Sequence, residues 1–306
     1  MRRELRLGLL VGGITALLSL ATLAWKGSEA APHWWATRRH AARARERMAV
    51  VPPVVLWAWE RPEDLRAVAN QKVGVAFLAA TVAVWPGSTE PGGVQVRPRL
   101  QPLRVGGATP LIAVVRIETP AGNRAAFSDA PAEPSLRFDN EQAARIADEI
   151  VRATSWPQVV AVQIDFDAGK SDRGLYRALL LETRKLLPPE TRLSITALAS
   201  WCIGDRWLDE LPAGTIDEAV PMVFRMGPGG TQVANFLREG TEFPVAACRD
   251  SIGLSTDEKL SRDILANHFG DPKLFAHKRK YIFSPRSWTV DTEREMAGLS
   301  PASFKE

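Results

Sequence analysis

Residues 159–167, VVAVQIDFD, deliver two carboxylates, Asp165 and Asp167, at the end of a short apolar run rich in β-branched side chains. A run of this kind reads as a strand buried on both faces, as strands of parallel sheets are. Carboxylates are costly inside such a strand, so these two belong at its C-terminal end. The two-residue period of a strand puts both on one side, roughly 6–7 Å apart along the chain. Two in-phase acids exceed what one loop cap requires, and parallel barrels keep their chemistry at such strand ends. Asp165 and Asp167 are therefore read as site residues. The competing reading has them capping the following loop by accepting backbone N–H bonds.

Acids at one strand end make a site only if other strands end beside them. Apolar runs at 54–59, 73–79, 111–117, 192–198, 218–224, 243–248 and 280–284 supply seven further expected strands. Amphipathic stretches at 62–70, 140–154, 175–187, 205–211, 231–239 and 255–267 are the expected helices. Ile146 and Ile150 stand one turn apart after Asn140 as cap, and Pro188-Pro189 stops the third helix. Residues 81–105 break the alternation with a turn at Pro86-Gly87 and read as an inserted β-excursion. Eight strands and their helices over about 250 residues predict an α/β fold, a (β/α)8 TIM-type barrel, irregular where the insertion follows the second strand.

In that barrel the strand ends line one mouth. They are Trp57, Trp59 and Glu60; Arg116 and Glu118; Asp165 and Asp167; Ser200 and Trp201; Met222, Phe224 and Arg225; Arg249 and Asp250; Arg286 and Trp288. Aromatic faces stack on the C–H faces of sugar rings, while carboxylates and guanidiniums bind hydroxyls, so the mixture suits a carbohydrate. Asp165, Asp167 and Glu118 are the candidate catalytic groups. Trp57, Trp59, Arg116, Trp201, Met222, Phe224, Arg225 and Trp288 are the candidate substrate-binding groups. A two-carboxylate hydrolysis needs one protonated and one ionised acid about 5–10 Å apart. Glu118 on the neighbouring strand is the expected proton donor, with Asp165 or Asp167 as nucleophile or base.

The charge of the chain is concentrated at its start. Residues 1–47 hold nine Arg or Lys against three Glu, a net +6; with +4 overall, the remainder carries −2. The body is therefore not read as nucleic-acid-binding. Arg2, Arg3 and Arg6 precede an uncharged apolar stretch, 7–25, and Ser28-Glu29-Ala30 offers a cleavage site before Ala31. Residues 1–30 are read as a signal peptide or, since 19 apolar residues can span a bilayer, an uncleaved anchor. Either places the body outside the cytoplasm, in the periplasm or on the outer face of the inner membrane. Residues 31–51 are the expected basic linker, partly helical, with contact to anionic lipid as the rival role. Residues 52–306 are the expected barrel domain.

Other chemistries lack their residues. Four histidines show no HxH or HExxH spacing, and no GxSxG elbow, P-loop or GxGxxG follows a strand, so neither cofactor nor metal is expected. Cys202 and Cys248 have no adjacent His base and are expected near each other at the mouth, able to pair in an oxidising compartment. Nothing in the sequence fixes an oligomeric state.

Four segments carry a resemblance: VVLWAW from Val54, IDFDA from Ile164, SWCIGDRW from Ser200 and PMVFRMG from Pro221. Together they resemble a group of exported bacterial domains of unknown function, similar in turn to chitinase-like barrel glycoside hydrolases. Those hydrolases carry a DxxDxDxE motif at the fourth strand and Met-x-Tyr-Asp at the sixth. Asp165 and Asp167 match the second and third acids, but Val162 and Gly169 stand where the first acid and the catalytic acid would be. Met222 and Phe224 match Met and Tyr, and Arg225 replaces the Asp. The resemblance implies an exported glycan-binding barrel with glycoside hydrolysis as its chemistry. The alternative is a non-catalytic glycan-binding or envelope scaffold protein that has lost the catalytic acid.

Overall fold

The computed structural model describes residues 33–69, 72–84, 93–119 and 140–297. The expected signal or anchor at 1–30, residues 31–32 and the turn at Pro86-Gly87 lie outside the described residues. Helix α1 (His33–Met48) begins in a first unit, residues 1–42, and its last turn belongs to a second, residues 43–306. No described helix is long and apolar enough to cross a membrane.

The second unit is a closed (β/α)8 barrel. Its strands are β1 (Val54–Ala58), β3 (Val73–Val84), β6 (Leu111–Glu118), β7 (Val159–Asp165), β8 (Arg192–Leu198), β9 (Glu218–Met222), β10 (Ser251–Ser255) and β11 (Arg279–Phe283). Each pairs parallel with its neighbours, and β1 closes the ring by pairing with both β11 and β3. The strand alternation divides the core in two. Val55, Trp57, Ala76, Leu78, Ile112, Val114, Ala161, Val220, Tyr281 and Phe283 fill the interior. The intervening residues face outward onto helices such as α2 (Asn140–Arg152), which buries Ala143, Ile146, Ala147 and Ile150, and α3 (Arg173–Leu186).

The excursion after the second strand is present within the expected 81–105, and the strand itself runs longer than the expected 73–79. β3 runs to Val84, and its outer half pairs antiparallel with β4 (Val94–Pro98). Of the helix expected at 62–70, the described residues form one 3-10 turn, Arg66–Val68. Glu63–Asp64 form a short strand, β2, beside β5 (Leu103–Arg104), because the N–H groups of Glu63 and Leu65 donate to Pro102 and Arg104 rather than along a helix. The seventh strand is also displaced from 243–248 to Ser251–Ser255. Phe243, Val245 and Cys248 are apolar because they pack in the outer layer, whereas β10 turns Ser251, Gly253 and Ser255 inward. A Cβ on Gly253 would lie 3.4 Å from Met222 and from the Phe283 ring, so the interior admits little there. Arg249 and Asp250 therefore precede a strand and lie at the N-terminal end of the barrel, away from the mouth.

Short helices complete the outer layer. They are α4 (Ala199–Ile203), α5 (Gly230–Arg238), α6 (Lys259–Leu265), α7 (Pro272–Ala276) and α8 (Val290–Ala297). Cys202 on α4 forms a disulfide with Cys248. Both are fully buried in the outer apolar layer, so the bridge lies behind the barrel wall rather than at the mouth.

Residues 43–51, read above as the end of a linker, close the N-terminal end. Met48 and Val51 enter the interior core. Arg45 donates to Asp250 at 2.9 Å, and Arg47 to Asp217 at 2.7 Å and to Thr191 O at 2.6 Å. Above them, Glu218 is buried at the start of β9 and accepts from Arg279, from the Tyr281 hydroxyl at 2.7 Å and from Ser194 at 3.1 Å. Removing one partner of a buried charge pair costs about 3–5 kcal/mol. Glu218→Ala, which strands Arg279, is expected to lower unfolding free energy by that order in urea titration, and Glu218→Gln by less.

Glu293 on α8 is fully buried, and neither carboxylate oxygen has a hydrogen-bond partner among the described residues. Burial, with Asp64 and Glu63 nearby, raises its pKa to about 7, against the pull of Arg294. The folded value lies above the unfolded one, so ionisation is harder in the folded state. Stability is then highest in acid and falls as pH rises from the ordinary carboxyl range through about 7. Glu293→Gln is expected to raise the melting temperature above that window and leave it nearly unchanged below it. An equal shift on both sides would assign the effect to packing.

Candidate functional site

At the C-terminal mouth, β6 and β7 run in register, Arg116 opposite Asp165, with both side chains turned inward. Asp165 is 4% exposed and twice anchored. Arg116 Nη1 donates to its Oδ2 at 2.9 Å, and Thr196 Oγ1 on β8 donates to its Oδ1 at 2.8 Å. The other side of the guanidinium faces Glu118, with Nε 3.5 Å from Oε1. Glu118 accepts a second bond from Arg97 Nη2 on β4, at 2.6 Å. Arg116 also lies 5.8 Å from the ring centre of half-buried Trp59. One guanidinium thus holds two carboxylates and an indole in a fixed arrangement.

Asp167 continues the inward phase just beyond β7. Solvent reaches it, yet its pKa is raised to about 6, first by desolvation and then by the charge of Asp165, with Arg116 opposing. Asp167 makes no hydrogen bond or ion pair with any described residue. Arg116 has the reverse balance: burial lowers its pKa, but Asp165, Asp167 and Glu118 together outweigh burial and raise it. The segment between the acids is fixed from behind by Phe166, whose ring meets Tyr176 edge-on at 5.0 Å. The buried Tyr176 phenol is pushed well above its ordinary pKa by desolvation and by Asp165 and Asp167, so it stays neutral.

Apolar side chains also reach the mouth. Phe224 stands 4.8 Å from Phe283, Phe283 stands 6.2 Å from Trp59, and Met222 pairs with Leu198, which is 37% exposed. Arg225 is exposed in a left-handed conformation, φ 49°, with Nη2 3.3 Å from Asp257. Such φ values are uncommon outside glycine and strained for a long side chain.

Among the residues expected at the site, the structure brings together Glu118, Asp165, Asp167, Arg116, Trp59, Met222 and Phe224 and leaves Arg225 at the rim. Three tryptophans are not available to a ligand. Trp57 is fully buried inside the barrel, stacked 4.4 Å from Phe283. Trp201 is buried in the outer layer, 5.3 Å from Trp207, because α4 starts immediately after β8 and carries it behind the wall. Trp288 is buried as well, its Nε1 donating to Trp57 O at 2.9 Å. Arg97 and Thr196 join the site beyond the residues expected there. Thr196 has the inward phase of β8 and was within reach of the strand period; Arg97 sits in the excursion, whose register no pattern gives. Gly169 has room for a Cβ, 3.5 Å from Asp172 Oδ2, so packing does not demand glycine where the resembled hydrolases carry an acid. No group of three His, Cys, Asp or Glu among the described residues is arranged to hold a metal ion.

No protein-family model matches the chain. No curated protein matches it either. Among solved structures, a GH113 β-1,4-mannanase is similar at 10% identity and a TM-score of 0.43, covering 81% of this chain and 98% of its own. An endo-β-N-acetylglucosaminidase from Cordyceps militaris is similar at 10% identity and a TM-score of 0.41, covering 86% and 95%.

The coupling of the two aspartates is directly measurable. Asp165→Asn removes the like charge, so Asp167 is expected to titrate below about 6, still above an ordinary Asp because desolvation remains. Carboxyl-carbon NMR titration of wild type and variant checks this. An unchanged Asp167 midpoint would mean that the two charges do not interact.

Proposed function

We propose that the barrel mouth binds a glycan outside the cytoplasm. The observation that carries this reading is Arg116, held between Asp165 and Glu118 beside half-buried Trp59. Fixed guanidinium and carboxylate groups give directional partners for ring hydroxyls. The wall of Trp59, Phe224, Met222 and Leu198 offers an apolar surface to sugar C–H faces. Locating the protein outside the cytoplasm is supported by the amino-terminal sequence and by the Cys202–Cys248 disulfide, since such bonds persist where the surroundings are oxidising. The same segment is proposed to direct the chain to the periplasm or hold it at the outer face of the inner membrane.

A second reading, glycoside hydrolysis, is favoured by Asp167. Its pKa near 6 leaves it partly protonated near neutral pH, beside an Asp165 fixed by Arg116 and Thr196. Glu118 has its oxygens engaged by Arg97 and Arg116, so Asp167 rather than Glu118 is the acid with a proton to give. Asp165 or Glu118 would serve as base or nucleophile. If hydrolysis occurs, turnover falls as pH rises through about 6.

A panel of bacterial polysaccharides separates the readings, with binding and released reducing ends both measured. Wild type is expected to bind at least one glycan, and Arg116→Ala to weaken that binding by tenfold or more, as loss of a charge-assisted contact does. Reducing ends released by wild type and not by Asp167→Asn establish the hydrolase. Binding without release leaves the glycan-binding barrel, and no binding across the panel removes both.

A further inference from the structure

Among the described residues, the charges at the inner mouth do not balance. Glu118, Asp165 and Asp167 act on one shared cation, Arg116. Arg97 adds a second, but its bond goes to Glu118 alone. Thr196 gives Asp165 a neutral donor. Asp167 is left with no hydrogen bond or ion pair to any described residue, although solvent reaches it. The charges that act on it are Asp165, of its own sign, and Arg116, already divided between two other acids. With all three acids ionised, the described residues of the inner mouth hold one carboxylate more than they hold guanidiniums.

A ligand that completes this set brings a cation to Asp167 and an apolar ring face to the wall of Trp59, Phe224 and Leu198. A neutral sugar supplies only the second. A lysine-rich peptide supplies only the first, on a flexible stem without a rigid ring. We propose that the mouth is selective for an amino glycan, a polysaccharide whose sugar rings carry free ammonium groups, one of which pairs with Asp167. This rests on the glycan-binding reading and names its substrate class. N-acetylation of the ring nitrogen would replace the cation by a neutral amide. The ligand would then cover Asp167 without supplying a counter-charge, and an uncompensated covered charge is costly. Pairing with an ammonium also keeps Asp167 ionised, whereas proton donation requires it protonated, so the two uses exclude each other.

The test uses the full chain and two oligosaccharides that differ only in N-acetylation: a β-1,4-linked glucosamine hexamer and its fully N-acetylated counterpart. Binding is measured by calorimetry near neutral pH, with a hexalysine peptide as third ligand. The glucosamine hexamer is expected to bind about tenfold more tightly than the acetylated form, in line with one charge-assisted contact. Asp167→Asn is expected to abolish that preference and Asp167→Glu to retain it. Thermal unfolding of both variants, recorded alongside, shows whether they are folded. Equal affinity for the two hexamers, or a preference that survives in folded Asp167→Asn, overturns the inference and leaves the glycan reading standing. Hexalysine binding as tightly as the glucosamine hexamer overturns it in favour of a basic peptide. Hydrolysis of the acetylated hexamer that depends on Asp167 overturns it in favour of the acid role. Binding of neither hexamer overturns it too, and the polysaccharide panel then decides the broader reading separately.

Discussion

The buried carboxylate of Glu218 is the point on which the closed end of this barrel depends. Its two oxygens accept from Arg279 and Tyr281 on β11 and from Ser194 on β8, and Ser194 in turn accepts from Gln163 on β7 at 2.8 Å. Four strands are thereby fixed in register by one charged group and its neighbours. Burying a charge is unfavourable unless it is paired and its lone pairs are filled, and here both conditions are met. Arg279 extends the network to the chain start, donating to Met48 O at 2.7 Å and toward Val51 O and Pro52 O. The last turn of α1 is therefore part of the barrel, because its carbonyls satisfy a guanidinium that Glu218 holds in place.

The opposite end is organised by the same chemistry with a different result. Arg116, like Arg279, is a partly buried guanidinium facing carboxylates, Asp165 on the next strand and Glu118 on its own, where Arg279 faces Glu218 two strands away. At the closed end Glu218 has its oxygens paired with Arg279, Tyr281 and Ser194, and Met48 and Val51 pack into the interior beside them. At the mouth, among the described residues, three acids meet two arginines, one of which is bonded to Glu118 alone. The excess charge persists because solvent reaches Asp167. Stability and site are thus two levels of one interior, separated by the packed layer that includes Trp57 and Phe283.

The β-excursion has a comparable double role. Arg99 donates to the carbonyls of Trp59 at 2.8 Å, Arg61 at 2.7 Å and Gln101 at 2.9 Å, and Glu60 accepts from the N–H groups of Leu100 and Gln101. These bonds stitch the loop after β1 to the end of β4 and set where Trp59 stands. The same hairpin carries Arg97 to Glu118. A barrel unit with a hairpin where its helix would be has one side of its mouth built by that hairpin.

The sequence by itself determined the strands with strong apolar patterns and the phase of their ends. VVAVQIDFD specified β7 and turned Asp165 and Asp167 to one side, because a two-residue period is a local property of an extended chain. LIAVVRIE did the same for Arg116 and Glu118. β10 stayed hidden because its inward positions, Ser251, Gly253 and Ser255, are small where Met222 and Phe283 crowd the interior. The apolar run before it, with Phe243 and Val245, served the outer layer instead. Depth was likewise beyond the sequence. Trp57 and Trp59 share a phase, yet one is sealed beneath Phe283 and the other reaches the mouth, while Trp201 and Trp288 lie behind the wall. Phase is set within a strand, but burial is set by what the other strands and loops place opposite. Only the closed barrel decided which of the strand-end residues could meet a ligand.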